Sequence, residues 1–140
     1  MKKILVAVDG SDASLKGTRK ALEWAKPFGA AVTLIYVVPP MVLPGDAPWA
    51  RMDEIHASEL KRGEKVLAET LAAAGQTPLT VSTRSVLGPA AETISELADA
   101  EDFDLVVVGS TGKGAVKRML LGSVADRLVH TCTKPVLVVR

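Results

Sequence analysis

Short apolar runs alternate with longer amphipathic segments along the chain, and this alternation restricts the fold more than any other feature. Ile4 to Val8 is a β-branched apolar run, and similar runs follow at Ala31 to Val38, Thr80 to Leu87, Asp104 to Val108 and Pro135 to Val139. The intervals between runs leave room for helices of about ten or more residues. This pattern predicts an α/β fold with right-handed βαβ units, a parallel sheet and helices on both faces.

The first interval has apolar residues near helical spacing. They are Leu15, Leu22, Ala25 and Phe28, and Trp24 on the same segment is predicted to join the core.

The remaining intervals carry start and stop signals for helices. A loop is predicted from Met41 to Ala50, followed by a helix from Arg51 to Ala74 that Gly75 is placed to end. Gly88 and Pro89 are predicted to open a further helix.

Length and composition limit both architecture and function. The 140 residues suit a single domain over residues 1–140, and a hydrophobic fraction of 48% can build a core. With 17 basic and 16 acidic side chains, the chain lacks the basic excess of a nucleic-acid binder. No apolar run approaches the roughly 18 residues of a membrane span, and the N-terminal run is too short for a signal sequence. The single cysteine, Cys132, agrees with a reducing compartment, so we expect a cytoplasmic protein without nucleic-acid or membrane partners.

A glycine-rich segment follows the fourth apolar run, where open α/β sheets bind ligands. It reads GSTGKGAVKRMLLGSV from Gly109 to Val124. Glycine lets the backbone approach an anion closely and adopt positive φ, so that successive N–H groups can point into one concavity. Ser123 is predicted to begin a helix with Asp126 at the capping-box spacing, and a helix start attracts anions. The segment therefore predicts a polyphosphate site, where Lys113 can add positive charge.

A structural interpretation of the same glycines stays open. Gly109 can be a tight turn, and Gly122 can separate two helical pieces. Other phosphate motifs are excluded by counting, because a Walker sequence needs glycine where Val107 stands and a Rossmann fingerprint needs glycine or alanine where Lys117 stands.

Other polar candidates are interpreted as structural, and no catalytic or metal-ligating residue is predicted. His56 and His130 are far apart and have no nearby cysteine or carboxylate pattern. Glu101, Asp102 and Asp104 fall where a helix turns back into a strand, so a solvated charged turn is favoured over acid–base chemistry.

Taken together, these residues resemble the universal stress protein family, in the branch whose members bind ATP. The pattern G-x2-G-x9-G-S is preceded by DLVVVGS and followed by VADRLVHTCTKPVLVV, and KKILVAVDGSDAS and LIYVVPP match as well, so the resemblance covers nearly the whole chain. It implies an adenine nucleotide alpha hydrolase-like fold, a five-stranded parallel sheet in the order 3-2-1-4-5. It also implies that ATP, carrying Mg²⁺, is held between the ends of the first and fourth strands.

The resemblance further implies which residues hold the nucleotide. Asp9 is placed near the ribose and adenine, since a carboxylate can accept hydrogen bonds from neighbouring ribose hydroxyls. Its alternative role, capping the first helix or shaping the DGSD turn, stays open. Ala7, Val8 and Val37 are placed beside the base. The implied phosphate site consists of Gly109, Ser110, Gly112, Lys113, Gly114, Gly122, Ser123 and Val124.

The last apolar run predicts an oligomer. Val136 to Val139 is apolar on both faces and stands one residue before Arg140, so we expect an unpaired sheet edge. Pairing with the same strand of a second subunit would cover this edge, and the resemblance also implies a homodimer.

Three functions follow from these predictions. The leading one is an ATP-binding regulatory or sensor protein of the stress response, with a protein partner that the sequence does not identify. A slow ATPase or nucleotidyl-transfer enzyme is disfavoured because GSTGKGAVKRM contains no Asp, Glu, Gln or His. A stress interaction module without nucleotide is the third.

Overall fold

A computed structural model of the chain describes residues 1–41, 45, 49–112 and 121–140. Its strands are β1 (Lys3–Ala7), β2 (Ala31–Val38), β3 (Val81–Leu87), β4 (Leu105–Gly109) and β5 (Val136–Val139). They form a parallel sheet in the order β3-β2-β1-β4-β5. The predicted fold and strand order are confirmed, and the strand ends differ from the predicted ones by about one residue, within the usual uncertainty of element boundaries.

The helices of the described residues are α1 (Asp12–Ala25), α2 (Trp49–Ala74), α3 (Ala90–Ala100) and α4 (Ser123–Thr131). A short 3-10 helix, Lys26–Phe28, extends α1. Trp49 already opens α2, so the predicted loop is too long at its carboxyl end, and residues 42–44 and 46–48 of the loop lie outside the described residues. Gly75 follows α2 with a φ of 95°, and Pro89 precedes α3, both as predicted. Within the described ranges, no helix combines the length and apolar character needed to cross a membrane.

The sheet separates two apolar cores. Ile4, Val6 and Val107 face the core under α1 and α2, whereas Leu5 and Val106 face the core under α3 and α4. All five side chains are fully buried, because β1 and β4 are central strands covered on both faces. Burial on both faces explains why these strands read as continuous apolar runs rather than alternating ones.

Trp24 and Phe28 lie on the outer side of the first helical segment. They are 42% and 59% exposed, so the prediction that Trp24 joins the core is wrong. The buried side of α1 instead includes Gly17, Ala21 and Ala25, which let the helix approach the sheet closely. Helical spacing places residues on a common side, but the contact with the sheet decides which side is buried.

The carboxylates of the acidic turn before β4 link this turn to the start of β1 and to the middle of β3. Asp104 Oδ2 accepts hydrogen bonds from the backbone N–H groups of Lys2 and Lys3 at 2.7 and 2.9 Å, and these bonds lower the pKa of the Asp104 carboxyl. Glu101 forms a two-point ion pair with Arg84 of β3, and this hydrogen bonding lowers the pKa of Glu101. The turn is therefore charged and faces solvent, as predicted, and its carboxylates also form an organised set of hydrogen bonds and ion pairs.

Replacing either of two helical glycines by alanine is expected to change stability, in opposite directions at the two positions. A Cβ on Gly17 would lie 3.6 Å from Val107 Cγ1, an ordinary contact, whereas a Cβ on Gly63 would overlap the Tyr36 ring and the Ser85 hydroxyl. We expect Gly17→Ala to raise the free energy of unfolding by roughly 0.5–1 kcal/mol, because alanine favours a helix interior. We expect Gly63→Ala to lower it by about 1–3 kcal/mol through overpacking. Urea unfolding of both variants measures this contrast, and stabilisation by Gly63→Ala would contradict the packing of α2 on β2 and β3.

Candidate functional site

A cavity of about 460 Å³ opens at the carboxyl edge of the sheet, between the ends of β1 and β4. These neighbouring strands lead to helices on opposite faces, since α1 follows β1 and α4 follows β4. The connections that follow β1 and β4 diverge toward opposite faces of the sheet at this point. They leave a crevice of the kind in which open α/β sheets hold ligands. Its volume falls in the range of roughly 300–1,000 Å³ typical of small-molecule sites. The described lining consists of Ala7, Val8, Asp9, Ser14, Ile35, Val37, Pro39, Ala90, Ile94, Val108, Gly109, Thr111, Gly112, Gly122, Ser123, Val124 and Ala125.

The cavity has an apolar end and a polar end. The end of β2 and the start of α3 contribute aliphatic side chains, whereas the polar groups come from the segments that follow β1 and β4. Those groups are the carboxylate of Asp9 and the hydroxyls of Ser14, Thr111 and Ser123, together with glycine backbone. Within the described lining, Asp9 carries the only charged side chain. The site therefore suits a ligand with one apolar part and one strongly polar part.

Asp9 shapes the turn between β1 and α1. Its Oδ1 accepts a hydrogen bond from the Ser11 N–H at 2.8 Å, and its own N–H donates to Ser14 Oγ at 3.4 Å. The structural role that the sequence left open is thus present, and Asp9 also lines the cavity. A carboxylate has about four acceptor positions, so the bond to Ser11 is compatible with further partners.

Two glycines allow close backbone contacts around the cavity. A Cβ on Gly109 would lie 2.7 Å from the carbonyl carbon of Ala13 and 2.9 Å from Ser14 N, so β4 ends directly against the first turn of α1. A Cβ on Gly122 would lie 3.2 Å from Gly112 N, so the two described ends of the glycine-rich segment touch. Packing of the protein on itself therefore requires glycine at position 109 and leaves little room for a side chain on Gly122.

Gly112 differs from these two glycines. Among the described residues, a Cβ at this position would meet a single atom within 4 Å, Asp9 Oδ2 at 3.1 Å. The φ angles of Gly109, Gly112 and Gly122 lie outside the left-handed region, so the expected positive φ is absent at these positions and the missing side chain is what matters. A side chain on Gly112 would enter the cavity beside Asp9.

The start of α4 faces the cavity without a side-chain cap. Gly122 is the N-cap residue, and the Asp126 N–H donates to its carbonyl at 2.9 Å. Ser123 is already the first helical residue, so the predicted capping box is wrong. In α1, by contrast, Ser11 Oγ accepts a hydrogen bond from the Ser14 N–H at 3.1 Å. The first amides of α4 have no intrahelical acceptor, and such a helix start binds anions.

β2 extends beyond the end of β1 and offers backbone groups to the apolar end. In the described residues, the furthest hydrogen bond between these segments joins the Val8 N–H to the Ile35 carbonyl at 2.9 Å. The Val38 carbonyl accepts from the Gly88 N–H on the β3 side, so the backbone groups of Val37 lie on the β1 side, because alternate residues of a strand face alternate neighbours. Val37 therefore presents one donor and one acceptor to the crevice.

Comparison with known proteins establishes the family. The family model described as "Universal stress protein family" matches residues 1–140. The chain belongs to the universal stress protein family. A universal stress protein of Methanocaldococcus jannaschii is 38% identical over 142 residues, covering 99% of this chain and 82% of that protein. The resemblance seen in the sequence is confirmed.

Solved structures agree with this assignment. The universal stress protein UspA from Lactobacillus plantarum superposes with a TM-score of 0.87 at 26% identity, covering 99% of this chain and 97% of that one. A universal stress protein solved in complex with cAMP superposes with a TM-score of 0.71 at 28% identity, covering 99% and 97%. The fold of this universal stress protein is thus shared over essentially its whole length.

The cavity brings together most of the residues that the sequence selected. Those in its lining are Ala7, Val8, Asp9, Val37, Gly109, Gly112, Gly122, Ser123 and Val124. Ser110 stands outside the described lining. Its backbone instead connects other segments, because its N–H donates to the Val139 carbonyl at 2.7 Å and its carbonyl accepts from the Gly122 N–H at 2.7 Å. Lys113 and Gly114 lie outside the described residues.

Sequence reasoning missed several lining residues. Ser14 belongs to the DGSDAS turn. The spacing of its hydroxyl from that of Ser11 in this turn was a signal that could have identified it. Ala90 and Ile94 are apolar residues of α3 and gave no local signal, because they reach the cavity only through the packing of that helix. Thr111 stands between two selected residues and lines the polar end.

The two histidines have other contacts. His56 Nε2 accepts a hydrogen bond from the Met41 N–H at 3.1 Å, and His130 Nδ1 lies 3.7 Å from Asp126 Oδ1. No group of three or more His, Cys, Asp or Glu side chains in the described ranges is arranged to hold a metal ion.

Proposed function

We propose that this universal stress protein binds adenine nucleotides, principally ATP, and acts as a nucleotide-dependent regulatory protein in the stress response. The observation that carries the proposal is the cavity between β1 and β4, whose lining combines an apolar end, a carboxylate and a glycine-bordered helix start. The related protein solved with cAMP supports an adenine nucleotide as the ligand class.

Adenine fits the apolar end of the cavity. Val37 supplies a backbone donor and acceptor there, and aliphatic side chains such as Ile94 supply surface for the ring. Adenine carries an amino donor at the position where guanine carries a carbonyl acceptor. We assign the Val37 carbonyl to this amino group, where it would face the guanine carbonyl unfavourably, and this assignment favours adenine over guanine.

The ribose and phosphates fit the polar end. Asp9 can accept hydrogen bonds from ribose hydroxyls while it keeps its bond to Ser11. Gly112 leaves space beside this carboxylate, and the first turn of α4 supplies amides for phosphate oxygens. Phosphates placed at α4 avoid repulsion from Asp9 if the ribose lies between them.

Mg²⁺ would enter with the nucleotide. The described lining offers hydroxyl oxygens of Thr111 and Ser123 near the proposed phosphate position, a donor set that suits an ion held mainly by phosphates and water. When bound, the ion would neutralise phosphate charge.

Regulation is favoured over catalysis by the chemistry of the lining. Hydrolysis needs a group that positions or deprotonates water. The described lining contains no His, Glu or Gln, and residues 113–120 add none of these in the sequence. With Asp9 assigned to the ribose, the described lining is suited to holding a nucleotide. We propose that the presence or absence of this nucleotide changes how the protein recognises a partner.

Calorimetric titration with ATP, ADP, AMP and GTP in the presence of Mg²⁺ tests the proposed function. We expect saturable binding of ATP to one site per chain and much weaker binding of GTP. The absence of heat with every adenine nucleotide, together with no nucleotide in a denatured extract of the purified protein, would favour an interaction module without nucleotide. Multiple turnovers of phosphate release would favour the enzyme.

A homodimer through β5 is part of the proposal. In the described sheet β5 pairs with β4 only. The Pro135 carbonyl accepts a hydrogen bond from the Val106 N–H, and the Val139 carbonyl accepts one from the Ser110 N–H. Because alternate residues of a strand face alternate neighbours, the backbone groups of Val136 and Val138 point away from β4. Pairing with β5 of a second subunit would satisfy these groups and cover an apolar edge.

Light scattering of the Val138→Pro variant tests this dimer. We expect the wild type to have a dimer mass at micromolar concentration and the proline variant to be monomeric, because proline removes an outward N–H without removing a bond to β4. Val138→Thr keeps the N–H and is the control, which should remain a dimer. A monomeric wild type would contradict the proposal.

A further inference from the structure

We infer that Ser14 is a positioning residue for the Asp9 carboxylate and that recognition of the ribose depends on its hydroxyl. The inference rests on the proposed nucleotide site and extends it to the first turn of α1. Ser14 is 3% exposed and lines the cavity wall. Its hydroxyl is thus buried beside the charged residue of the described lining.

One hydroxyl holds both parts of Asp9. Ser14 Oγ accepts a hydrogen bond from the Asp9 N–H at 3.4 Å and donates to the Ser11 carbonyl at 3.0 Å. The Ser11 N–H in turn donates to Asp9 Oδ1 at 2.8 Å. Ser14 therefore contacts the backbone of Asp9 directly through a long hydrogen bond and restrains its carboxylate through Ser11.

Ser14 itself has little freedom to move. Its N–H donates to Ser11 Oγ at 3.1 Å, and its carbonyl accepts a hydrogen bond from Thr18 Oγ1 at 2.9 Å. Gly109 packs so closely that a Cβ there would lie 2.9 Å from Ser14 N. The first turn of α1 thus holds the Asp9 carboxylate at a fixed place relative to the end of β4.

The hydrogen bonds indicate an indirect role rather than direct contact with the ligand. The single hydroxyl proton of Ser14 is directed to the Ser11 carbonyl, so it is not available to a nucleotide. An effect that acts through Asp9 must disappear when Asp9 is replaced. An effect of direct contact or of general stability would persist.

The experiment is a double-mutant cycle between Ser14→Ala and Asp9→Ala, read by calorimetry with Mg-ATP and with 2′,3′-dideoxy-Mg-ATP. We expect Ser14→Ala to lower the affinity for ATP about threefold to tenfold and to change the affinity for dideoxy-ATP by no more than about twofold. In the Asp9→Ala background, Ser14→Ala should cause no further loss of ATP affinity. Thr33→Val is the control, because it removes another buried hydroxyl, one that bonds Ser82 on β3 and is absent from the cavity lining, and it should leave the ratio of the two affinities unchanged.

A second measurement needs no nucleotide. Hydrogen exchange of the Asp9 and Ser11 amides in the ligand-free protein should become faster in Ser14→Ala and stay unchanged in Thr33→Val. Equal losses for ATP and dideoxy-ATP, additive losses in the cycle, or unchanged exchange of both amides would overturn the role of Ser14. A wild type that binds neither nucleotide would overturn the proposed function, whereas accelerated exchange would still support the positioning of Asp9.

Discussion

Gly112→Val is expected to weaken ATP binding more than about 100-fold while leaving the protein folded. Its Cβ would stand 3.1 Å from Asp9 Oδ2 and would direct the rest of the side chain into the cavity. Phosphates would then lose hydrogen bonds that are worth about 1.5–3 kcal/mol each when one partner is charged. Loss of two such bonds exceeds about 100-fold in affinity. Calorimetry with Mg-ATP measures the loss.

Two comparisons separate this steric effect from a loss of stability. Gly112→Ala adds only the Cβ and should give an intermediate affinity, since this atom would crowd Asp9 Oδ2 without filling the cavity. Gly17→Ala adds the same atom at a glycine that is absent from the cavity lining and should bind ATP like the wild type. Unchanged ATP affinity in Gly112→Val would show that the phosphates do not approach Gly112.

Asp9→Ala is expected to lower the affinity for ATP by roughly tenfold to 100-fold and the affinity for 2′,3′-dideoxy-ATP by less than about threefold. The reason is that only ATP can donate ribose hydroxyls to the carboxylate, at about 1.5–3 kcal/mol for a charge-assisted bond. Parallel calorimetric titrations with the two nucleotides measure the difference. Equal losses for both would remove the assignment of Asp9 to the ribose.

The structural role of Asp9 calls for a matched variant. Asp9→Asn retains a side-chain oxygen that can accept the Ser11 N–H, so the turn and the thermal stability should be preserved. It also removes the charge, so its preference for ATP over the dideoxy analogue should fall below that of the wild type. Loss of both stability and binding in Asp9→Asn would mean that the carboxylate acts mainly on the turn.

The sequence predicted the sheet well because central strands are buried on both faces. Continuous apolar runs such as the one around Val106 have few alternatives to a buried strand, and glycine and proline mark the ends of α2 and α3. The strand order came from the family resemblance rather than from periodicity. Trp24 was misplaced because apolar spacing does not state which side of α1 meets the sheet.

The candidate site was predicted less completely because its parts meet only in three dimensions. Asp9 and Gly112 lie in motifs that can be read along the chain, and the cavity brings them together. Ala90 and Ile94 enter from α3, where no local pattern distinguishes cavity wall from core. Gly109 belongs to the motif, yet its close contact with Ala13 shows a packing requirement that the motif does not express.

The most direct test of the nucleotide site is a titration of isotope-labelled protein with Mg-ATP followed by NMR of the backbone amides. The proposed site predicts saturable shifts for Asp9, Val37, Gly112 and Ser123, with little change on the outer face of α2. Signals that stay unchanged at millimolar ATP, or shifts that fall away from the crevice between β1 and β4, would contradict it.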